Sequence, residues 1–347
     1  MFSRNLKYYR LLKNMTQKEL AGRIHVTPMT ITNYEKGKRM PDMDMIQKLA
    51  HELGVRVTDF LINRNEQLVF SHGEFRKTSR LSASKQEYIR EYIEEYFSRF
   101  FDAVDCNGGR VLPDPLKCHS KKLLDDVEEN AIHMRGFLGL PEHGPIGNLV
   151  LLLENMGVFI LFVDCDDNQF SGMNGLVNDY PYIAVNQSMT PERIRSTIAH
   201  ELAHLVFDWN EIADEKEKEN MATAISGAFL ISERDLKREL GLYRNAITQD
   251  FVMVCKEYGI SSLLLVKRGE IAKIIPAHVA KDFYIRAGKA GWRKNEPSRI
   301  PQEEPTLLKQ LVLRAVNDQS ISIQKGAELL KTSYSEIEDE CRLVEVV

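Results

Sequence analysis

Two imidazoles and a carboxylate occur at one-turn spacing in His200-Glu201-Leu202-Ala203-His204. On a helix, residues four apart share a face, so His200 and His204 can bind one metal ion through ring nitrogens at about 2.0 to 2.1 Å. Glu201, beside the first histidine, is placed to take a proton from metal-bound water and pass it to a leaving amine. That is the chemistry of peptide-bond hydrolysis, and Zn2+ is the ion it calls for. A catalytic zinc also needs a third protein ligand and an open position. His133, His143 and His278 lack ligand spacing and are read as structural.

The elements that must hold these groups follow from periodicity. Pro191-Glu192 opens a helix whose buried stripe is Ile194, Ile198, Leu202, Leu205 and Val206. The segment after it is crowded with acids: Glu211, Asp214, Glu215, Glu217 and Glu219. Met221, Ala222, Ile225, Ala228 and Phe229 then form an apolar helix face, and Glu219, three residues before Ala222, falls on that inward side. Glu215 is the second candidate, and the other acids read as a solvated surface. Upstream, Val158 to Val163 reads as a buried strand and Tyr182 to Asn186 as a second one. Phe170, Ser171 and Gly172, between the two strands, are expected to border a cleft. Tyr182 is better read as a packed strand tyrosine than as an oxyanion donor.

A second kind of chemistry belongs to the first 65 residues. They hold 12 Lys+Arg against 6 Asp+Glu, a charge of +6 in a chain of net charge -4, so the remainder stands at -10. A small basic head on an acidic body suits phosphate binding by the head. Thr16-Gln17-Lys18-Glu19 is a capping box that opens a helix carrying Leu20, Ala21 and Ile24. Thr27 caps the next helix with Pro28 at its first position, and Ile31 and Tyr34 point inward. Pro41-Asp42 opens a further helix that Gly54 closes.

The run T-Q-K-E-L-A-x-x-I-x-V-T-x-x-T-I-x-x-Y-E-K-G-K-R-x-P resembles the XRE (lambda-repressor-like) helix-turn-helix family across the whole head. The resemblance implies that the third helix enters the major groove of a double-stranded DNA operator, with Pro28, Met29, Thr30 and Asn33 nearest the base edges. Gln17 would then sit over the backbone, and Lys36, Lys38 and Arg39 would contact phosphates. Readout would rest on Asn33 and Thr30, since Pro28 and Met29 offer only apolar contact.

The stretch R-S-T-I-A-H-E-L-A-H-L followed by E-N-M-A-T-A-I-S-G-A-F-L-I-S is similar to the ImmA/IrrE metallopeptidase family. Upstream matches at Ala131, Arg135, Leu138 to Leu140, Gly144 to Ile146 and Leu153 to Gly157 extend it over residues 115 to 235. The resemblance implies His200, His204 and Glu219 as zinc ligands, Glu201 as general base, and limited proteolysis of a specific protein such as a repressor, an antitoxin or the chain itself. Two positions depart from the pattern: Ser232 stands where a proline is usual, and Ile225-Ser226 where Phe-Ala is usual.

The expected architecture is an α+β multidomain chain: an all-α lambda-repressor-like helix-turn-helix over 1–65, a helical connector over 66–110, a zincin-like α+β metallopeptidase domain over 111–235, and a mostly helical region over 236–347. Ser84 to Val104 reads as one long connector helix. No run of about 18 apolar residues occurs and the first ten residues are charged, so neither membrane nor signal sequence is expected and the cytoplasm is the expected location. Five separated cysteines argue against a disulfide framework or a cysteine zinc knuckle. A homodimer is expected, with a protein substrate or a partner such as a repressor or toxin. The rival reading is a non-proteolytic transcription factor or antitoxin that uses the zincin fold for sensing or partner binding.

Overall fold

The computed structural model describes residues 1–62, 64, 65, 67–73, 81–165 and 169–342. They fall into two compact units: residues 1–69, 75–111 and 308–347 form one, and residues 70–74 and 112–307 the other. This division cuts across the expected helical region 236–347, whose first two thirds lie with the His200–His204 helix and whose end lies with the head.

In the first unit, α1 (Phe2–Leu12), α2 (Gln17–Arg23), α3 (Pro28–Glu35) and α4 (Met43–Leu53) surround Leu6, Leu20, Ile31, Leu49 and Leu53, all fully buried. The capping box at Thr16 is formed in full: its hydroxyl accepts from Glu19 N–H and its own N–H is bound by the Glu19 carboxylate at 2.7 Å. Pro28 stands at the first position of α3 because the N–H it lacks has no intrahelical partner there. Gly54 ends α4 at φ 64°, a conformation that favours glycine. The long helix α5 (Ala83–Cys106) begins one residue before the expected start, capped by Ser82.

In the second unit, a four-stranded sheet runs in the order β1 (Phe70–His72), β4 (Gly172–Val177), β5 (Tyr180–Asn186) and β3 (Phe159–Val163), and β2 (Lys121–Lys122) pairs with β6 (Phe207–Asp208) in a separate ladder. β3 and β5 are parallel, whereas β4 is antiparallel to both β5 and β1. The β4–β5 hairpin turns on Asn178 and Asp179 at φ 47° and 67°, the left-handed pair whose twist matches that of the strands it joins.

Helices α6 (Val127–Phe137) and α7 (Leu149–Asn155) precede β3. Helix α8 (Pro191–Val206), which carries His200 and His204, packs on β4 and β5, and α9 (Glu215–Leu230) packs on both α8 and α6. The stripe Ile194, Ile198, Leu202, Leu205 and Val206 is at most 2% exposed, so truncating Ile198 to alanine costs about 2 to 5 kcal/mol. Arg135 on α6 is buried and donates to the carbonyls of Phe229, Pro141 and Gly144, which ties the end of α9 to α6. Helices α10 (Glu233–Leu240), α11 (Asp250–Tyr258), α12 (Ser262–Ile271) and α13 (Ala277–Lys289) extend the same apolar core.

The chain then returns to the first unit with α14 (Leu307–Asn317), α15 (Ile323–Leu330) and α16 (Tyr334–Glu340). Lys331, just after α15, pairs with Glu95 of α5 at 2.8 Å and donates to the Tyr8 hydroxyl of α1 at 2.8 Å. Burial, with the charges of Arg99 and Arg64, outweighs Glu95 and pushes its amine down to about 8.

Candidate metal centre and DNA-reading helix

Two helices deliver three donor groups to one point. His200 and His204 lie one turn apart on α8, and α9 crosses it so that Glu219, in its second turn, faces both imidazoles. The two Nε2 atoms are 3.2 Å apart. One carboxylate oxygen of Glu219 lies 3.3 Å from His200 Nε2 and the other 3.4 Å from His204 Nε2. Among the described residues these three form the cluster of His, Cys, Asp and Glu groups able to share an ion. Glu215, the second candidate, is 60% exposed and pairs with Lys218 at 3.1 Å, away from the imidazoles.

The triangle fits zinc on its dimensions. Tetrahedral ligands about 2.0 to 2.1 Å from one ion lie about 3.3 to 3.4 Å from one another. Two imidazoles and a carboxylate would supply the three protein ligands that a catalytic zinc takes.

The surrounding groups orient these donors. Thr223, one turn after Glu219, donates its hydroxyl proton to the Glu219 carbonyl at 2.7 Å, and its oxygen stands 3.3 Å from His200 Nδ1. With that proton spent, the oxygen can only accept, so His200 carries its hydrogen on Nδ1 and turns the Nε2 lone pair toward Glu219 and His204. Trp209 packs on the His204 ring at 5.2 Å and donates to the His204 carbonyl. Glu201 is buried, and the Asn174 side-chain amide of β4 donates to its carboxylate at 2.8 Å. Tyr182 is fully buried, its hydroxyl 2.6 Å from His72 Nδ1. Asn174, Thr223 and Trp209 were missed in the sequence. Thr223 had a signal, since it follows Glu219 by one helical turn, whereas nothing in the sequence pairs Asn174 with Glu201.

The residues expected to border the cleft are divided. Gly172 begins β4, while Phe170 lines a polar cavity of about 290 Å³ with Asn186, Ser188, Thr190, Arg193, Arg293 and Lys294 at the start of α8.

On the head, Pro28, Met29, Lys36, Lys38 and Arg39 are exposed, Met29 at 64%, and Thr30 and Asn33 are half-buried. Thr30 shares a hydrogen bond with the capping hydroxyl of Thr27 at 2.9 Å. The Asn33 carbonyl accepts the N–H groups of Lys38 and Arg39, which folds the basic turn back on the end of α3. Gln17 is less available than the sequence suggested: its amide donates to Glu35 at 2.7 Å and accepts from Thr32 at 2.8 Å, holding α2 against α3. Arg10 completes that cluster through Glu35, at 2.5 and 3.0 Å.

Comparison with known proteins assigns both regions. The family model described as helix-turn-helix matches residues 6–60, and that described as IrrE N-terminal-like domain matches residues 153–269. An HTH-type transcriptional regulator of Methanocaldococcus jannaschii is 40% identical over 62 residues, covering 18% of this chain and 94% of that protein. The HTH-type transcriptional regulator YqaE of Bacillus subtilis is 34% identical over 70 residues, 20% of this chain and 60% of that protein. Multiprotein-bridging factor 1 of Eremothecium gossypii is 42% identical over 45 residues, 13% of this chain and 30% of that protein. The chain therefore belongs to the XRE-type helix-turn-helix regulators, and it joins to that DNA-binding head an IrrE N-terminal-like domain of the M78 peptidase family.

Proposed function

We propose that this DNA-binding regulator is a zinc-dependent endopeptidase that cuts a specific protein in the cytoplasm. The observation that carries the reading is the triangle of His200, His204 and Glu219, with sides of 3.2 to 3.4 Å, on the same helix as a buried, hydrogen-bonded Glu201. His200, His204 and Glu219 would hold the zinc, which would supply Lewis acidity toward the scissile carbonyl and the attacking water. Glu201 takes the proton released by the attacking water and returns it to the amine that leaves. Asn174 holds that carboxylate by one oxygen and leaves the other to the proton. Thr223 keeps His200 in the tautomer that binds metal. At the other end of the chain, α3 lies in the major groove of an operator: Asn33 and Thr30 read base edges, Met29 and Pro28 pack on them, and Lys36, Lys38 and Arg39 bind phosphate. Gln17 serves this interface by positioning α3.

Limited proteolysis of a repressor, an antitoxin or the chain itself would couple the two activities. The test is Glu201→Gln in the full chain. It should keep zinc and operator binding while abolishing the new protein N-termini that the wild type generates in extracts of its host. New N-termini in equal number from both proteins would overturn the reading.

A further inference from the structure

The edge of the sheet beside the metal helix is already filled by the chain itself. β4 is the strand whose Asn174 binds Glu201, so an extended peptide laid antiparallel on β4 passes next to the general base. β1 occupies that position. It pairs antiparallel with β4, placing Phe70 opposite Val177, Ser71 opposite Leu176 and His72 opposite Gly175, and the Gly73 N–H continues the ladder to the Asn174 carbonyl at 2.9 Å.

The seat is shaped for these residues. A Cβ on Gly73 would lie 2.5 Å from the Asn174 carbonyl oxygen, so only glycine comes this close to the strand. Gly175 plays the reciprocal part. A Cβ there would lie 2.5 Å from the Tyr182 hydroxyl and 2.7 Å from the Ser71 carbonyl oxygen. Its absence lets the Tyr182 phenol cross β4 and meet His72 Nδ1 at 2.6 Å. Phe70 stacks on the His72 ring at 5.3 Å. Strand addition of this kind draws its affinity from main-chain pairing and its selectivity from such side-chain seats.

We propose that residues 70–73 occupy the peptide-binding edge of the metal site as an internal stand-in for substrate, so that an extended protein segment binds β4 only by displacing them. The proposal rests on the peptidase reading for the meaning of the site, though not for the occupancy of the edge. It also defines the class of segment that fits: extended, with glycine opposite Asn174 and, one residue earlier, a hydrogen-bonding ring that reaches Tyr182.

The experiment uses the full chain and a fluorescent peptide of residues 68–73, with binding read by anisotropy in metal-free and zinc-loaded protein. Gly73→Val expels β1 from its seat and should bind the peptide at least tenfold more tightly than the wild type, whose edge is filled. His72→Ala, which loses the contact with Tyr182 and the stacking on Phe70 but keeps the backbone ladder, should fall between them and serves if Gly73→Val does not fold. A peptide with alanine in place of histidine should bind the opened variant about tenfold more weakly. Equal binding by the wild type and the variants overturns the proposal. Tight binding by the variants together with loss of the Glu201-dependent cleavage difference would instead leave the occupied edge standing and remove the peptidase reading.

Discussion

The Asn174 amide reaches across from β4 to hold the Glu201 carboxylate at 2.8 Å, so a neighbouring strand sets the orientation of the proposed general base. Asn174→Ala should lower turnover about tenfold on whichever peptide the wild type cuts, the loss of roughly 1.4 kcal/mol of transition-state stabilisation. Zinc content should not change, because Asn174 touches none of the three donors. A variant that loses metal and turnover together would show that Asn174 supports the fold of the site rather than Glu201.

Thr223 offers a separate handle on the same centre. Thr223→Val keeps the shape of the side chain and removes the acceptor that fixes the His200 hydrogen on Nδ1. Loss of such a supporting contact typically weakens metal binding 10- to 100-fold. Competition with a chelator of known affinity measures it, and unchanged affinity would mean that the Thr223 hydroxyl does not set the tautomer.

Ser232 and Asp235 should govern acid stability. Burial alone would raise the Asp235 carboxyl, but the Ser232 hydroxyl at 2.7 Å, the Gly144 N–H, Arg238 and Arg135 outweigh it and hold it below the usual range. A carboxyl lowered in the folded state contributes stability above its unfolded value of about 3.9, and that contribution is lost as pH falls through the lower folded value. Denaturant midpoints measured from pH 6 down to 3 should therefore fall more steeply for the wild type than for Asp235→Asn. Parallel curves would exclude Asp235 as a source of the acid sensitivity.

Asn33→Ala should weaken binding to one operator far more than to random DNA, by about 1 to 3 kcal/mol for a lost base contact. Lys38→Ala should weaken both alike and flatten the salt dependence, as a phosphate contact does. Filter binding at two salt concentrations separates them, and equal losses from Asn33→Ala on both DNAs would remove it from base readout.

Much of this arrangement was legible because it is local. The capping box at Thr16, Pro28 at the start of α3 and the apolar stripe of α8 are each written within a few residues, and helical period alone put Glu219 ahead of Glu215. Strands β3 and β5 were legible as apolar runs, but β4 and β1 were not. β4 carries Gly172, Asn174 and Gly175, poor strand formers whose purpose is close backbone approach and hydrogen bonding, so propensity hides it. β1 has three residues, and its partner Tyr182 lies 110 positions away, beyond the reach of any local period. The connector helix shows a further limit of pattern reading. Glu91 and Glu95 fall among its polar positions, yet Glu91 is buried against Arg64 and Lys7, and Glu95 binds Arg99 and Lys331.

His200, His204 and Glu219 are proposed to hold one ion, and elemental analysis of the purified full chain tests that most directly. One zinc per wild-type chain is expected, with less than a tenth of that in a His200→Ala, His204→Ala double variant of unchanged circular dichroism and in Glu219→Ala a loss of at least tenfold in affinity. Zinc retained at the wild-type level by the double variant would contradict it.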